Sequence, residues 1–207
     1  MTVRSLIASI ALALAAPAAA QQGAPLLPDD PRAPRFAEVE RGVFAGFETG
    51  ALVLLRTPTA DPARYPFAGA GGGRASGLLV GVHLGYDLGN RLAASVFAFG
   101  ANADAGPSYG AFSLVATGVD LRVSLWSRGD RNDVDRLHLY VHARTGYLVT
   151  RPVGLLGTSD LLVAGGPGLE YTTRLRHFSV GLAADALWLT RAGVPGIAVA
   201  PSVRYTF

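Results

Sequence analysis

Period-two alternation of apolar and polar residues runs through most of the chain after residue 41 and predicts β-strands. It is clearest from Leu137 to Tyr147, where one face is apolar and the other carries His138, His142 and Arg144. A half-exposed strand of a soluble protein has the same pattern. Seven further segments repeat it, however, as expected where one strand face meets lipid and the other a polar lumen.

The eight predicted strands are Val43–Leu55, Gly77–Leu88, Arg91–Ala101, Val115–Leu125, Leu137–Tyr147, Val163–Thr172, Phe178–Trp188 and Ile197–Phe207. The register of the third strand is ambiguous because both of its faces are largely apolar, and we expect Phe97 and Phe99 to face lipid. Pro167 weakens the sixth strand, since proline cannot donate to a β-ladder. The pattern therefore predicts an all-β fold, an eight-stranded antiparallel transmembrane β-barrel of the outer-membrane type.

The connections agree with this fold, because such barrels have short periplasmic turns and longer outer loops. Short turns are predicted at Gly89–Asn90 and Arg174–Arg176 on the periplasmic side. The predicted outer loops are Arg56–Arg74, Asn102–Tyr109, Thr150–Asp160 and Thr190–Pro195. The Ser127–Arg136 connection is an exception to this rule, because it is long and charged although the strand order places it on the periplasmic side. It is either a mobile tether, which we favour, or a docking point.

Composition excludes several classes of protein. Cysteine is absent, which excludes disulfides, thiolate metal sites and a lipid-anchor cysteine. Half of the residues are hydrophobic, yet after residue 20 no run of about 18 apolar residues exists for a membrane-spanning helix. The 18 basic residues, all arginine, oppose 15 acids, and nothing indicates the one-sided basic surface of a nucleic-acid-binding protein.

The first 40 residues predict export. Arg4 precedes the apolar run Leu6–Ala16, and Ala18–Ala20 forms a small-residue cleavage site, so residues 1–20 are predicted to be a signal peptide. An uncleaved anchor is the alternative, but the run is shorter than the roughly 20 residues that a spanning helix needs. Gln21–Glu40 is proline-rich, charged and aperiodic, and predicts a flexible periplasmic leader before a barrel of residues 41–207.

The final strand resembles the last strand of bacterial outer-membrane barrels. It alternates and stops on an aromatic residue, with Tyr205 two positions before Phe207. The resemblance implies an outer-membrane location, contact with outer-membrane lipid, and recognition of Tyr205 and Phe207 as an insertion signal by the barrel insertion machinery.

Eight strands enclose an interior that side chains just fill. Buried charges need partners, so we expect a structural network in which arginines bridge carboxylates, in preference to a catalytic or transport role. The ionisable side chains predicted to point inward are Glu48, His83, Asp87, Asp120, Arg122, His138, His142, Arg144, Glu170, Asp185 and Arg204.

Two pairs of residues that include histidine are candidates for a metal site or a catalytic site. His138 and His142 lie about 13 Å apart by strand rise, too far for one metal ion, so no metal or cofactor is predicted. His177 and Ser179 resemble the His-x-Ser pair of outer-membrane lipid A deacylases, eight-stranded barrels that pair the histidine with a downstream glutamate. No glutamate follows here, and the pair lies beside a predicted periplasmic turn.

A more specific resemblance covers most of the chain from Arg41-Gly42-Val43-Phe44 onward. Gly165–Leu182 and Val203–Phe207 resemble the myxobacterial outer-membrane barrels of the adventurous gliding motility CglE type. The resemblance implies a small barrel that serves the gliding machinery by contacting other envelope proteins. The leading hypothesis is a non-enzymatic anchor or interaction scaffold, acting through its outer loops and leader. A lipid-modifying enzyme and a narrow channel are the alternatives.

Overall fold

The computed structural model describes residues 41–56, 74–104, 111–130, 134–151, 159–175 and 177–207. The predicted signal peptide and leader, and most of the predicted outer loops, lie outside these ranges. Eight strands are present: β1 Val43–Leu54, β2 Ala75–Asp87, β3 Leu92–Asp104, β4 Ala111–Gly129, β5 Asp135–Arg151, β6 Asp160–Thr172, β7 Phe178–Leu189 and β8 Val194–Thr206. The described residues contain no helix long and apolar enough to span a membrane.

Each strand pairs antiparallel with its chain neighbour, and β8 pairs with β1 to close the barrel. A circuit of paired residues that begins at Phe44 closes on Leu54, ten residues further along β1. That stagger, at strand rise and strand spacing, tilts the strands by about 40° from the barrel axis. The predicted fold class is confirmed. Pro167 pairs with Val141 of β5, while the β6–β7 ladder is interrupted around it.

The start of β1 and the end of β8 meet at one end of the barrel, where Phe44 pairs with Thr206. We call this the terminal end and the opposite one the loop end. The connection between Leu54 and Ala75 is at the loop end and is the longest in the barrel. Because outer-membrane barrels carry their long loops outside, the loop end is extracellular and the terminal end periplasmic.

The lipid-facing surface is an apolar band between two levels of aromatic side chains. Tyr147 and Trp188 mark the loop-end level, and Trp126, Tyr171 and Phe178 mark the terminal level, all of them exposed on the outer surface. Phe178 and Trp188 are ten residues apart on β7. At strand rise and this tilt, ten residues span roughly 25 Å of barrel height, the height of the apolar band in outer-membrane barrels.

The prediction for the third strand was wrong. Phe97 and Phe99 are 3% and 6% exposed and stack in the lumen with ring centroids 5.9 Å apart, while Val96 faces lipid. Glycines on β2 and β5 lie against the two phenylalanine side chains. A Cβ on Gly146 would lie 3.0 Å from Phe97 Cζ, and one on Gly81 would lie 3.0 Å from Phe99 Cβ.

The prediction of a long loop at Ser127–Arg136 was also wrong over half of its length. β4 continues to Gly129 and β5 begins at Asp135, so only residues 130–134 connect them, and 131–133 lie outside the described ranges. Arg136 Nε bonds Asp130 Oδ2 at 2.7 Å, and Arg136 Nη1 donates to the Thr173 carbonyl at 3.0 Å. The hairpin is therefore held to the neighbouring β6–β7 turn.

A β-bulge between Ser124 and Trp126 changes which face β4 presents. Trp126 pairs with the lipid-facing Leu139, and Ser127 pairs with the lumen residue His138. Simple alternation would have placed Trp126 in the lumen. The extra residue, Leu125, moves the tryptophan to the outer surface.

Candidate functional site

The lumen is divided into two parts along the barrel axis, and the half nearest the loop end is apolar. Its buried side chains form a continuous cluster that we call the apolar plug. The plug comprises Leu52, Leu54, Ala75, Leu79, Phe97, Phe99, Ala101, Ala103, Phe112, Leu114, Ala116, Leu148, Leu162, Leu187, Leu189, Val194 and Ala198. These residues pack directly on one another, so the plug fills the extracellular half of the lumen.

The eleven ionisable side chains predicted to point inward occupy the middle and the terminal half, and the structure places all of them on the lumen face. Five of them form a central ion cluster. Its members are Glu48, Asp120, His142, Arg144 and Asp185.

Arg144 organises the central ion cluster. Its Nη1 and Nη2 atoms donate to the two oxygens of Glu48 at 2.8 and 2.9 Å, a bidentate pair. Its Nε lies 3.4 Å from Asp120 Oδ2, and its Nη1 lies 3.8 Å from Asp185 Oδ2. One guanidinium thus serves three carboxylates from three different strands.

His142 lies between two of those carboxylates. Its Nδ1 is 3.3 Å from Asp120 Oδ1, and its Nε2 is 2.6 Å from Asp185 Oδ1. The second contact is close in distance but lies outside hydrogen-bond geometry. The imidazole and Arg144 together bridge Asp120 and Asp185 across the lumen.

Four further residues form a rim ion cluster nearer the terminal end. Arg122 pairs with Glu170 and Arg204 with Asp87, and Arg204 Nη1 also lies 3.8 Å from Glu170 Oε1. Two arginines face two carboxylates, so this cluster is charge-balanced. The arginines also stack on aromatic rings: Arg122 lies 4.0 Å from the Tyr140 centroid, and Arg204 lies 3.7 Å from that of Phe44.

His83 and His138 stand apart from both clusters. The His83 ring packs edge-on against Phe44, with centroids 6.0 Å apart, and covers Gly46, where a Cβ would lie 1.8 Å from Nε2. His138 Nε2 lies 3.2 Å from the Asp135 carbonyl oxygen. No group of three or more metal-ligating side chains within the described ranges is arranged to hold a metal ion.

Open space in the polar half is small. One cavity of about 60 Å³ opens toward the terminal end beside Glu170 and Arg204, and another of about 40 Å³ lies deeper beside Glu48 and His83. Cavities that hold organic ligands usually measure roughly 300–1,000 Å³. These two have room for a few water molecules only.

The His-x-Ser pair is divided between different partners. The hydroxyl of Ser179, which is 6% exposed, donates to the Glu170 carboxylate, and His177 Nδ1 lies 2.8 Å from the Thr206 carbonyl oxygen. Glu170, which bonds the serine, lies upstream of the pair in the sequence, whereas the glutamate of the lipid A deacylases lies downstream of theirs. Both residues are at the terminal end.

Asp160 is a buried acid that sequence reasoning assigned to an outer loop. It is 1% exposed at the start of β6, and its carboxylate accepts hydrogen bonds from the backbone N–H groups of Arg191 at 2.8 Å and Ala192 at 2.9 Å. It also accepts one from its neighbour Leu161 at 2.6 Å. Asp160 thus fixes the β7–β8 turn at the loop end. The sequence gives no sign of this contact, because Asp160 and the turn are about 30 residues apart and meet only in the folded barrel.

Tyr205 and Phe207 belong to an aromatic group on the outer surface at the terminal end. The Tyr205 ring lies 5.0 Å from both the Phe178 and the Phe207 centroids in edge-on geometry, and Phe207 is 68% exposed. Recognition of these two residues by insertion machinery stays a prediction.

Comparison with known proteins identifies the fold. No family model and no curated protein matches the chain. Among solved structures, Neisserial surface protein A is similar with a TM-score of 0.58 and 15% identity over 80% of this chain and 99% of that one. The N-terminal β-barrel domain of Pseudomonas aeruginosa OprF is similar with a TM-score of 0.50 and 12% identity, over 81% and 98% of the two chains. The chain is an eight-stranded barrel of the outer membrane.

Proposed function

We propose that the chain is a non-enzymatic, non-conducting outer-membrane barrel that acts as an envelope anchor and interaction scaffold. The apolar plug carries this proposal, because its packed side chains occupy the extracellular half of the lumen within the described part of the chain. With the lumen filled and the wall in lipid, the rims, loops and leader are the surfaces left for binding other molecules.

Planar-bilayer recording tests the closed lumen. The refolded full chain is expected to give no steady discrete openings, in bilayers where a 16-stranded porin conducts. Steady openings would replace the scaffold with a narrow channel.

The competing proposal is a lipid-modifying enzyme built on His177 and Ser179. Against it, the Ser179 hydroxyl is buried and bonded to Glu170, and the pair lies at the periplasmic end. Lipid A from cells that overexpress the protein should be unchanged. A modified species that disappears in His177→Ala and Ser179→Ala but persists in the control Ser95→Ala would establish the enzyme instead.

The sequence resemblance to the CglE type narrows the scaffold to the gliding machinery. This part of the proposal is supported by the Gly165–Leu182 and Val203–Phe207 stretches alone. Deletion of the gene in its host should abolish adventurous single-cell movement, and the full chain should restore it. Unimpaired movement would remove the motility role while leaving the scaffold proposal in place.

A further inference from the structure

One edge of β4 has no strand partner at the terminal end of the barrel. β3 pairs with β4 only as far as Leu92 opposite Val123, and the last backbone bond on that side runs from Ser124 N to Arg91 O at 2.7 Å. Residues 125–129 continue beside β5 alone, ending at Gly129 opposite Asp135. Within the described ranges, five residues therefore present a free strand edge, and such an edge is a template for another strand.

A groove runs along this edge. It has a volume of about 180 Å³, larger than either lumen cavity, and lies between the β2–β3 turn and β4. Arg41, Asn90 and Arg91 form one wall, and residues 124–127 form the other. The groove thus places side chains opposite the free backbone edge, as a peptide-binding site requires.

The charge of the groove favours an acidic occupant. Arg41 and Arg91 are both exposed, and Arg41 Nη1 donates to the Gly89 carbonyl at 2.9 Å, which fixes its position at the wall. Among the described residues that line the groove, Asp135 is the only acid, and its Oδ2 already accepts a hydrogen bond from Ser127 Oγ at 2.8 Å. Two arginines against one engaged carboxylate attract negative side chains.

The bulges limit how long the occupant can be. The register of β4 shifts between Ser124 and Trp126 and again between Arg128 and Gly129, so the free edge is bounded at both ends. Bulges twist an edge away from pairing with another long, flat strand. A short extended segment fits this edge better than the edge of a second barrel.

We propose that this groove binds a short, extended, acidic segment of a periplasmic protein. The segment adds as a strand to residues 125–129 of β4 and places its carboxylates against Arg41 and Arg91. The proposal rests on the scaffold function, for which it names the binding surface and the chemistry of the partner. The site lies at the periplasmic boundary of the apolar band, because Trp126, which marks the terminal level of that band, forms part of its wall.

Labelled peptides test the proposal on the refolded full chain in detergent micelles. The probe is a fluorescein-labelled peptide of alternating glutamate and valine. One matched probe replaces each glutamate by lysine, and another keeps the glutamates but carries N-methyl groups on alternate backbone amides. The acidic probe should bind, the lysine probe should not, and N-methylation should weaken binding at least tenfold because it blocks strand pairing. No binding of the acidic probe, or equal binding of the N-methylated one, would overturn the proposal.

Variants locate the site. Arg91→Glu should weaken binding of the acidic probe at least tenfold, and so should Ser127→Pro, which disrupts the free edge. Arg151→Glu, an exposed arginine at the loop end, is the control and should bind normally. Equal losses in Arg91→Glu and Arg151→Glu, in proteins with unchanged β-sheet circular dichroism, would indicate unspecific charge attraction and overturn the site.

A peptide of residues 21–40 tests the nearest alternative occupant. If it displaces the acidic probe, the groove is a site for the leader of the chain itself, and the assignment to a partner protein fails. The two proposals also fail separately. Channel openings with intact peptide binding would overturn the closed scaffold alone, and a silent bilayer without peptide binding would overturn the groove alone.

Discussion

Arg144 on β5 holds Glu48 on β1 through two parallel hydrogen bonds of 2.8 and 2.9 Å, straight across the barrel lumen. The two strands are not neighbours in the sheet, so the pair ties opposite walls together. Both side chains are largely buried, at 10% and 5% exposure. A buried pair of this kind is sensitive to loss of one member, because the remaining charge is left largely desolvated without its partner.

The first prediction concerns the unequal cost of removing either member of this pair. Breaking a buried ion pair costs about 3–5 kcal/mol. Arg144→Met should fall at the upper end, because it leaves Glu48, Asp120 and Asp185 without their guanidinium. Glu48→Gln should cost less, since Arg144 keeps two carboxylates. Urea unfolding in lipid vesicles measures both, with Arg151→Met as the exposed control. A larger cost for Glu48→Gln would contradict the central role of Arg144.

The second prediction tests the lipid-facing side of β5. Val141 lies six residues from Tyr147, roughly 15 Å down the barrel axis at this tilt, near the middle of the apolar band. Val141→Arg should therefore destabilise the folded barrel by about 2–4 kcal/mol, as arginine does at the midplane of other barrels. Val149→Arg, on the same face but at the interface, should cost at most about 1 kcal/mol. Equal unfolding free energies for the two variants would show that the depth assignment is wrong.

The third prediction tests the inward position of Phe97. Phe97→Ala removes a ring from the apolar plug and should cost about 3–5 kcal/mol. The neighbouring Val96, 56% exposed to lipid, serves as the control, and Val96→Ala should have a much smaller effect because it leaves no cavity. Unfolding midpoints in urea distinguish these outcomes, and a reversed order would restore the original expectation that Phe97 faces lipid.

The fourth prediction uses the two tryptophans of the chain, which mark opposite levels of the apolar band. Trp126→Phe and Trp188→Phe each leave a single tryptophan whose fluorescence can be excited selectively. In both proteins, bromine near the lipid headgroups should quench the fluorescence more strongly than bromine at the end of the acyl chains. Absence of quenching for Trp126 would mean that it faces the lumen and that the bulge beside it does not form.

Seven of the eight strands could be assigned to the correct face from alternation alone, because their lumen side carries polar or small residues over the half of the strand nearer the terminal end. β3 could not, since alanine occurs on both of its faces and each face also carries large apolar residues, Leu92 and Val96 on one and Phe97 and Phe99 on the other. Its inward phenylalanines lie against glycines of other strands, Phe99 against Gly81 of β2 and Phe97 against Gly146 of β5. Packing between residues so far apart in the sequence leaves no sign in the hydrophobic pattern of the strand itself.

For the ion clusters too, the sequence predicts the members but not the contacts between them. Their members could be identified because each interrupts an apolar pattern at an inward position. Their pairing could not, since the stagger of the barrel decides that Arg144 reaches Glu48, 96 residues away. The length of β4 was missed for a related reason. Bulges at Ser124 and Arg128 break the alternation, so the strand appears to end early.

The bridge between Asp87 on β2 and Arg204 on β8 has a consequence for the order of folding. The two residues are 117 positions apart, and β1 lies between their strands, so they meet only after the last strand has joined the first. Contacts of such long sequence separation form late, after the costly step of closing the chain. Breaking the bridge therefore leaves the rate of assembly nearly unchanged and raises the rate at which the closed barrel reopens.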